Sequence, residues 1–377
     1  MNDLLNSIVS NSTIKMTAPI MKSKVYGKKD MAPTQVPMVN VALSGRIDGG
    51  LTPGLLVLAG PSKHFKSAFA LLMAGAFMKR NPDAILMFFD AEFGTPQAYF
   101  ESFGIDMERV AHIPITDVEQ LKFEIMQQLD KIEPKHHGKI VIVIDSIGNL
   151  ASKKEVQDSL DGKSVADMSR AKSIKSLFRM VTPHLNLKDI PLIAVNHTYQ
   201  TQEMYSKAVV SGGTGIMYSA DTVWIVGRQQ DKVGTEIQGY HFVINIEKSR
   251  YVREKSKIPI SVSWDSGIMK WSGLMEVAEK GGYLTKPKVG WYEAIDPETG
   301  VVLSDKLMRA KEIVDNNNYL YINESNESVN KEAKHINAPG IKGHVIILQV
   351  PSVKTYFIRH CGNQELYLNG LLLPPNS

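Results

Sequence analysis

The sequence has a single cysteine, Cys361, among its 377 residues, so no disulfide can form within the chain. This scarcity excludes a small disulfide-stabilised secreted domain and favours a reducing compartment such as the cytoplasm. The sequence also lacks any run of 18 apolar residues, so we expect no membrane-spanning helix. Its first residues have neither the basic start nor the long apolar core of a signal peptide.

Neither sign of charge dominates. Lys and Arg number 43 against 39 for Asp and Glu, a net charge of +4. Such a small excess does not by itself indicate a nucleic-acid partner, and the positions of the charges matter more. The composition, 43% hydrophobic and 22% charged, is typical of a soluble globular protein, and the length allows one large domain or two ordinary ones.

Short apolar runs alternate with stretches of helical spacing along the chain. The runs expected to form strands are residues 55–60, 84–92, 139–150, 190–198, 221–229 and 240–250, and helices are expected at 66–80, 118–133 and 168–185. Apolar strands that alternate with helices predict an α/β fold with a mostly parallel sheet covered by helices on both faces.

The stretch "GPSKHFKS" (60–67) is close to the phosphate-binding pattern G-x-x-x-x-G-K-[ST]. Gly60, Lys66 and Ser67 fit, but Phe65 stands where glycine is usual. Because a strand precedes the loop and a helix follows it, backbone N–H groups there would form a cradle for phosphates. Phenylalanine rarely adopts a positive φ, so we expect a negative φ at Phe65, with its ring directed away from the phosphates.

Polar residues stand at the ends of three further expected strands: Glu92, Asp145, and the pair Asn196 and His197. The carboxyl ends of parallel strands meet at one edge of a sheet, so these side chains are expected to converge near a γ-phosphate. Asp145 would orient a magnesium shell, and Glu92 would polarise an attacking water. One such residue alone is usually an ordinary solvated loop residue, but their joint occurrence beside the phosphate loop favours a nucleotide site.

Several motifs occur together and in order. They are "GPSKHFKS", "FFDAEFGTPQAYF", "VIVIDSIGNLASKKE", "VNHTYQTQEMYSK", "SGGTGIMYSAD" and "INIEKSR". Jointly, over about residues 30–292, the sequence resembles the RecA-like strand-exchange proteins, in particular the UvsX group of recombinases of T-even-type bacteriophages. That group also has a phenylalanine before the loop lysine, which favours a functional site.

The resemblance implies ATP as the nucleotide and Mg²⁺ as its ion. The implied phosphate loop comprises Gly60, Pro61, Ser62, Lys63, His64, Phe65, Lys66 and Ser67. Mg²⁺ would be held by Ser67 and, through a water, by Asp145. Lys66 and Glu92 would be catalytic, and Tyr99 would stack near the adenine, although an ordinary position on an amphipathic helix is the alternative for this residue.

Three further catalytic roles follow from the resemblance alone. His197 would sense the γ-phosphate, because a histidine can donate the required hydrogen bond. Lys248 and Arg250, in "EKSR", would reach the ATP of a neighbouring subunit. Without the resemblance, this basic pair has an equally simple interpretation as surface charge.

Two segments, 151–172 and 198–215, show no clear strand or helix pattern and resemble the two DNA-binding loops of RecA-like recombinases. The residues expected to contact DNA are Lys153, Lys154, Lys163, Arg170, Tyr199, Met204, Tyr205 and Lys207. The basic side chains would neutralise phosphates, and the aromatic rings and methionine would pack against bases without reading sequence. A solvated charged face is the alternative for the basic residues.

The resemblance implies a DNA-dependent ATPase that forms filaments on single-stranded DNA and catalyses homologous pairing and strand exchange. The expected partners are single-stranded DNA, homologous duplex DNA, further copies of the chain, and phage single-strand-binding and mediator proteins, in the cytoplasm of a host cell and not at a membrane. Two alternatives remain: a RecA-fold ATPase of another class, such as a replicative helicase or a clock-type kinase, and an accessory paralogue with little hydrolysis. The presence of Glu92 disfavours the second.

Three regions are expected along the chain: an N-terminal polymerisation segment (1–30), a RecA-like ATPase and DNA-binding core (31–292), and a divergent C-terminal region (293–377). The last region is rich in Asn, then prone to β-structure, and has no acidic cluster at its end. Two alternatives would explain this composition: a terminus that has diverged from the family, or a reading frame that runs past an exon–intron or gene boundary.

Overall fold

The structure, a computed structural model, describes residues 3–23, 25–27, 29–163, 169–200, 208–233, 236–264, 267–296, 299–304, 306–309, 345–350 and 355–360. The chain forms two units. Unit 1 comprises Met1–Ala32, Thr52–Ala59 and Lys66–Val223, and unit 2 comprises Pro33–Leu51, Gly60–Phe65 and Trp224–Ser377. None of the helices in the described part of the chain has the length and apolarity that a membrane crossing requires.

The helices of unit 1 are α1 (Asp3–Ser10), α3 (Lys66–Arg80), α4 (Gln97–Ser102), α5 (Val118–Lys131), α6 (Lys153–Leu160), α7 (Ser169–Leu187) and α8 (Thr214–Ser219). Those of unit 2 are α2 (Pro37–Ser44) and α9 (Leu274–Lys280). Helix α5 shows why these segments are helical. The Asp117 carboxylate accepts a hydrogen bond from the backbone N–H of Gln120 at 2.7 Å and caps the first turn. Its buried side chains then recur at helical spacing: Val118, Leu121, Ile125 and Leu129.

The strands of unit 1 are β1 (Gly54–Ala59), β2 (Ile85–Asp90), β3 (Val110–Pro114), β4 (Ile140–Asp145), β5 (Pro191–Asn196), β6 (Thr198–Gln200) and β7 (Ala208–Val210). Those of unit 2 are β8 (Thr222–Val233, in unit 2 from Trp224), β9 (Glu236–Lys248), β10 (Lys257–Ser263), β11 (Gly267–Ile268), β12 (Leu284–Lys288), β13 (Trp291–Ala294), β14 (Met308–Arg309), β15 (Val345–Val350) and β16 (Thr355–His360).

Unit 1 contains a parallel sheet in the order β1-β5-β4-β2-β3. Every residue of β1, β4 and β5 is buried. Because successive side chains of a strand point to opposite faces, both faces of these strands are covered. The predicted α/β fold is therefore confirmed, and the four expected strands of this sheet lie within two residues of their expected starts.

Unit 2 is largely antiparallel. Its strands β11, β10, β9 and β8 are neighbours in that order, and β12, β13 and β14 form a separate antiparallel sheet. Strands β15 and β16 pair as an antiparallel hairpin within the region expected to be divergent. The two units are defined only by the contacts within each of them, which carry no information about function. The division of the chain into functional regions 1–30, 31–292 and 293–377 therefore stays a prediction.

Two segments expected to lack regular structure contain it. Residues 151–172 include α6 and the start of α7, and residues 198–215 include an antiparallel pair in which Thr198 faces Val210. The helix was missed although Ser152 caps it: its hydroxyl accepts a hydrogen bond from Glu155 N at 3.0 Å. The β6–β7 pair was missed because each strand has only three residues and gains its order from the other.

Candidate functional site

The carboxyl ends of four strands lie within one residue of one another at one edge of the unit 1 sheet. In the parallel register Ala59 is paired with Asn196, and Asp90 with Asp145. Glu92 and His197 follow these ends by one or two residues, and Lys66 opens the helix after the phosphate loop. The register therefore brings together the polar strand ends that the sequence indicated.

Asp145 is almost completely buried, with 2% of its surface exposed. Burial raises the pKa of its carboxyl to about 6, and the negative charges of Glu92 and Asp90 act in the same direction. A hydrogen bond from Ser67 and the charge of Lys66 oppose the rise. Its Oδ1 atom is buried and has no hydrogen-bond partner among the residues that the structure describes.

Lys66 is also buried, with 6% exposure. Burial lowers the pKa of its amine, and the carboxylates of Glu92 and Asp145 offset part of that effect. Since desolvation disfavours the charged form, an additional anion beside the amine would favour it. A phosphate group meets that requirement.

The donors at Asp145 and Ser67 fit a magnesium ion. Both supply oxygen, which hard cations prefer, and the buried Oδ1 of Asp145 is an acceptor without a protein donor in the described region. Across the described residues, no three His, Cys, Asp or Glu side chains are grouped to hold a metal. An ion at this edge would consequently need water and phosphate oxygens as ligands, as magnesium at nucleotide sites usually does.

Glu92 belongs to a small polar cluster with Ser146 and His197. The Ser146 hydroxyl donates to Glu92 Oε1 at 2.6 Å, and His197 Nε2 lies 3.3 Å from the same oxygen and 3.4 Å from the hydroxyl. These contacts fix the Glu92 carboxylate and join it directly to His197, the residue that follows β5. Ser146 was not identified from the sequence, although it directly follows Asp145.

Asp90 holds the turn that carries Glu92. Its Oδ1 accepts from the backbone N–H groups of Glu92 and Phe93 at 3.0 and 2.8 Å, and its Oδ2 lies 3.2 Å from His112 Nε2. The apolar pattern predicts that "DAE" ends a strand, and it does not indicate that Asp90 holds this turn. An Asp two residues before a turn residue is a local signature of such a side-chain-capped turn.

The position of His197 is restricted from two sides. A Cβ atom at Gly148 would lie 2.1 Å from Cδ2 of the imidazole, so only glycine leaves room for the ring there. The His197 N–H donates to Asn196 Oδ1 at 2.8 Å, and its carbonyl accepts from Ser211 N at 2.9 Å. His197 thus links the polar cluster to the end of the β6–β7 pair.

The residues expected to contact DNA have different surroundings. The exposed Lys154 pairs with the half-buried Asp158 at 3.6 Å, and Lys163 pairs with Asp161 at 2.9 Å on the surface. Lys153 and Tyr199 are exposed. Such surface ion pairs are weak, so these lysines can exchange them for phosphates at little cost. Met204, Tyr205 and Lys207 lie outside the described residues.

Arg170 differs from the other basic residues of this group. Its guanidinium donates to the carbonyls of Leu150, Ile147 and Gly148 at 2.6, 2.9 and 3.0 Å. Burial lowers its pKa, and the charge of Glu155 opposes this. A contact between Arg170 and DNA stays a prediction, but these hydrogen bonds fit a role in holding the segment after Ser146 better than a role in neutralising phosphates.

The expected negative φ at Phe65 is wrong. Phe65 has φ 61°, and Lys63 has φ 62°, so both adopt the left-handed conformation. The Phe65 ring stacks on Phe242 of β9, with centroids 5.1 Å apart. A contact made within unit 2 has therefore overridden the local preference of phenylalanine.

Three other expected site residues are accessible. Tyr99 lies in α4 with 41% exposure, and its ring forms a T-shaped pair with the Phe103 ring, with centroids 6.3 Å apart. In unit 2, Lys248 ends β9 half-buried, and Arg250 is exposed in the turn that follows. Stacking on adenine and contact with a neighbouring nucleotide both stay predictions.

Comparison with known proteins gives two family matches. Residues 18–269 match the RecA N-terminal domain, and residues 271–322 match the C-terminal domain of the bacteriophage T4 recombination and repair protein. The second match continues to residue 322, beyond residue 292, where the resemblance carried by the sequence motifs ends.

Individual relatives agree with these matches. The recombination and repair protein of Enterobacteria phage T4 is 53% identical over 83% of this chain and 80% of its own length. Protein RecA of Aquifex aeolicus is 25% identical over 67% of this chain and 71% of its own length. Protein RecA of Parasynechococcus marenigrum is 24% identical over 65% of this chain and 64% of its own length.

The buried Asp145 generates a prediction about stability. Its pKa of about 6 in the fold exceeds its ordinary value of 3.8, so stability falls as pH rises between these values. We expect Asp145→Asn to raise the free energy of unfolding by about 1–3 kcal/mol at pH 7.5 and by less at pH 4.5. Urea unfolding at both pH values measures this.

The exposed variant Glu101→Gln serves as the control and should change stability by less than about 0.5 kcal/mol at either pH. Equal or lower stability of Asp145→Asn at pH 7.5 would mean that partners stabilise the Asp145 carboxylate more than burial destabilises it.

Proposed function

Since the chain belongs to the RecA family of recombinases, we propose that it hydrolyses ATP, polymerises on single-stranded DNA and pairs that DNA with a homologous duplex. The observation that carries the proposal is the polar cluster of Glu92, Ser146 and His197 beside Lys66 and Asp145. The cluster supplies a positioned carboxylate, and Lys66 supplies a buried positive charge. Hydrolysis of a phosphoanhydride requires both.

The side chains divide the work of hydrolysis. Glu92 orients and deprotonates the attacking water, and Ser146 keeps its carboxylate in place. Lys66 binds the β- and γ-phosphates and stabilises their charge as the bond to the leaving phosphate breaks. A magnesium ion, when bound near Ser67 and Asp145, would neutralise further phosphate charge.

His197 connects the nucleotide to DNA in this proposal. Its side chain contacts Glu92, while its backbone carbonyl accepts from Ser211 next to the β6–β7 pair. A γ-phosphate that draws the imidazole away from Glu92 would therefore shift the start of the second DNA-binding segment. The change is a local contact with an effect on a neighbouring element, as in other nucleotide switches.

DNA would bind through phosphate contacts and base stacking. The residues proposed for this are Lys153, Lys154, Lys163 and Tyr199, together with Met204, Tyr205 and Lys207 outside the described residues. Such contacts read no sequence and depend on salt. Phage single-strand-binding and mediator proteins are proposed as further partners, because they would compete for or load onto the same single strand.

Two alternative functions differ from this proposal in the assembly formed or in the rate of ATP hydrolysis. A replicative helicase with this fold would close into rings, and an accessory paralogue would bind ATP with little hydrolysis. The similarity to recombination and repair proteins disfavours the first, and the positioned Glu92 carboxylate disfavours the second.

Electron microscopy distinguishes the assemblies. With single-stranded DNA and a non-hydrolysable ATP analogue, we expect continuous helical filaments, and without nucleotide we expect fewer and shorter ones. Closed rings under both conditions would favour the helicase. A Lys66→Ala protein is the control and should show no nucleotide-dependent filaments, since its phosphate contact is lost.

Substitution of Glu92 separates binding from hydrolysis. Glu92→Gln should bind ATP normally and hydrolyse it about 10²-fold more slowly, because the general base is lost. Lys66→Ala should lose hydrolysis and ATP-dependent DNA binding. Equilibrium binding of a fluorescent ATP analogue and steady-state phosphate release measure the two effects, with Glu101→Gln as a surface control. Loss of ATP binding in Glu92→Gln would mean that Glu92 supports the fold instead.

Lys248 and Arg250 are proposed to act on the ATP of a neighbouring subunit. A Lys248→Ala, Arg250→Ala protein should bind ATP through its own Lys66 and lose DNA-stimulated hydrolysis. Mixing it with Glu92→Gln should restore activity, because some interfaces then pair an intact Glu92 with an intact basic pair.

A Lys255→Ala, Lys257→Ala protein removes two nearby charges and should keep its activity. If mixtures at several ratios recover nothing although co-assembly is verified by cross-linking, the basic pair acts within its own subunit.

A further inference from the structure

The phosphate loop contains two residues with left-handed backbone, Lys63 at φ 62° and Phe65 at φ 61°. Glycine adopts this conformation freely, whereas a residue with a bulky side chain is strained in it. Such strain persists only where the surrounding structure holds the residue in place. The loop must therefore be held by contacts outside its own backbone.

Those contacts come from strands β8 and β9 of the same unit. The Phe65 ring stacks on Phe242 with centroids 5.1 Å apart and planes inclined by 24°. Phe242 has 3% exposure, so it is a fixed surface on which the ring can rest. Packing against a fixed neighbour compensates for backbone strain at Phe65.

The second strained residue is held by a different side chain. Arg228 on β8 donates from Nη1 to the Lys63 carbonyl at 3.1 Å. Its guanidinium also lies 4.7 Å from the centre of the Tyr240 ring, and Tyr240 lies 6.0 Å from Phe242, centroid to centroid. Arg228, Tyr240 and Phe242 thus form one group, which we call the aromatic bracket.

We propose that the aromatic bracket positions the phosphate loop for a nucleoside triphosphate, and that it replaces the conformational freedom of the missing glycine by side-chain packing. The inference rests on the proposed function, because it assigns the loop to phosphate binding. The three bracket residues are positioning residues: they contact the loop, and their effect reaches the nucleotide only through Lys63 and Phe65.

The proposal has a specific physical consequence. Without the Phe242 ring, Phe65 would relax toward a negative φ, and the adjacent backbone N–H groups would turn away from a shared anion. With glycine at position 65 the left-handed conformation there is free of strain, so that position should no longer need the Phe242 ring. Nucleotide affinity should therefore depend on Phe242 only while Phe65 is present.

A double-mutant cycle tests this dependence. The proteins are the unaltered chain, Phe242→Leu, Phe65→Gly and the double variant, and the measurement is the Kd of a fluorescent ATP analogue without DNA. We expect Phe242→Leu to weaken binding about tenfold when Phe65 is present. The double variant should match Phe65→Gly within about twofold, a coupling that independent sites would not show.

Arg228→Lys provides a second arm that leaves the buried core intact, since Arg228 is exposed. Lysine keeps the charge but loses the planar group that lies over Tyr240, so binding should weaken here too. Ile237→Ala, an exposed position on β9 outside the bracket, is the matched control and should bind normally. Thermal unfolding verifies that each protein is folded. If Phe242→Leu unfolds, Arg228→Lys carries the test, measured with and without Lys63→Gly, which removes the backbone strain that Arg228 compensates.

Equal affinity of Phe242→Leu, Arg228→Lys and the unaltered chain would overturn the proposal. So would a loss in Phe242→Leu that persists with glycine at position 65, or a Phe65→Gly protein that binds more weakly than Phe242→Leu. Failure of the proposed function has a different signature: the unaltered chain would not bind the analogue, or Lys66→Ala would bind it equally well.

Discussion

The parallel register of strands β1, β5, β4 and β2 is the constraint on which the proposed site depends. It sets Ala59 beside Asn196, Asp90 beside Asp145 and Ile144 beside Ala194, so all four strands end within one residue of one another. The short polar side chains at these strand ends can then contact one another directly, and no long loop is needed to bring them together. A slip of one residue in any strand would turn its polar end to the other face of the sheet and separate the cluster.

The same register forces polar groups into an apolar interior. Asp145, Ser146 and Asn196 are each at most 2% exposed at the ends of strands that are otherwise apolar. Ser146 and Asn196 have hydrogen-bond partners, whereas Asp145 keeps one oxygen without a partner in the described region and a raised pKa. A buried carboxylate in this state opposes folding. Its presence is understandable where a bound cation and phosphates complete the site, a common exchange of stability for function.

The sequence predicted what depends on local periodicity and missed what depends on partners. Apolar runs located β1, β2, β4 and β5, and with them the polar strand ends. The contacts of Asp90 and Ser146 follow from a register that no local pattern contains. Helix α6 is a different case, because Ser152 and Glu155 are spaced as in a capping box and could have identified its start. The unpredicted β6–β7 pair consists of two three-residue strands, and their pairing is likewise contained in no local pattern.

Phe65 shows where local reasoning reaches its limit. Steric preference alone assigns phenylalanine a negative φ, and that reasoning is sound for a loop considered by itself. In the fold, stacking on Phe242 stabilises the left-handed state by an amount comparable with its strain, about 1 kcal/mol. The residue allowed at this position is therefore decided by strand β9, which lies far away in sequence. A phosphate-loop pattern that demands glycine describes loops without such support, and a departure from it calls for a search for the packing partner.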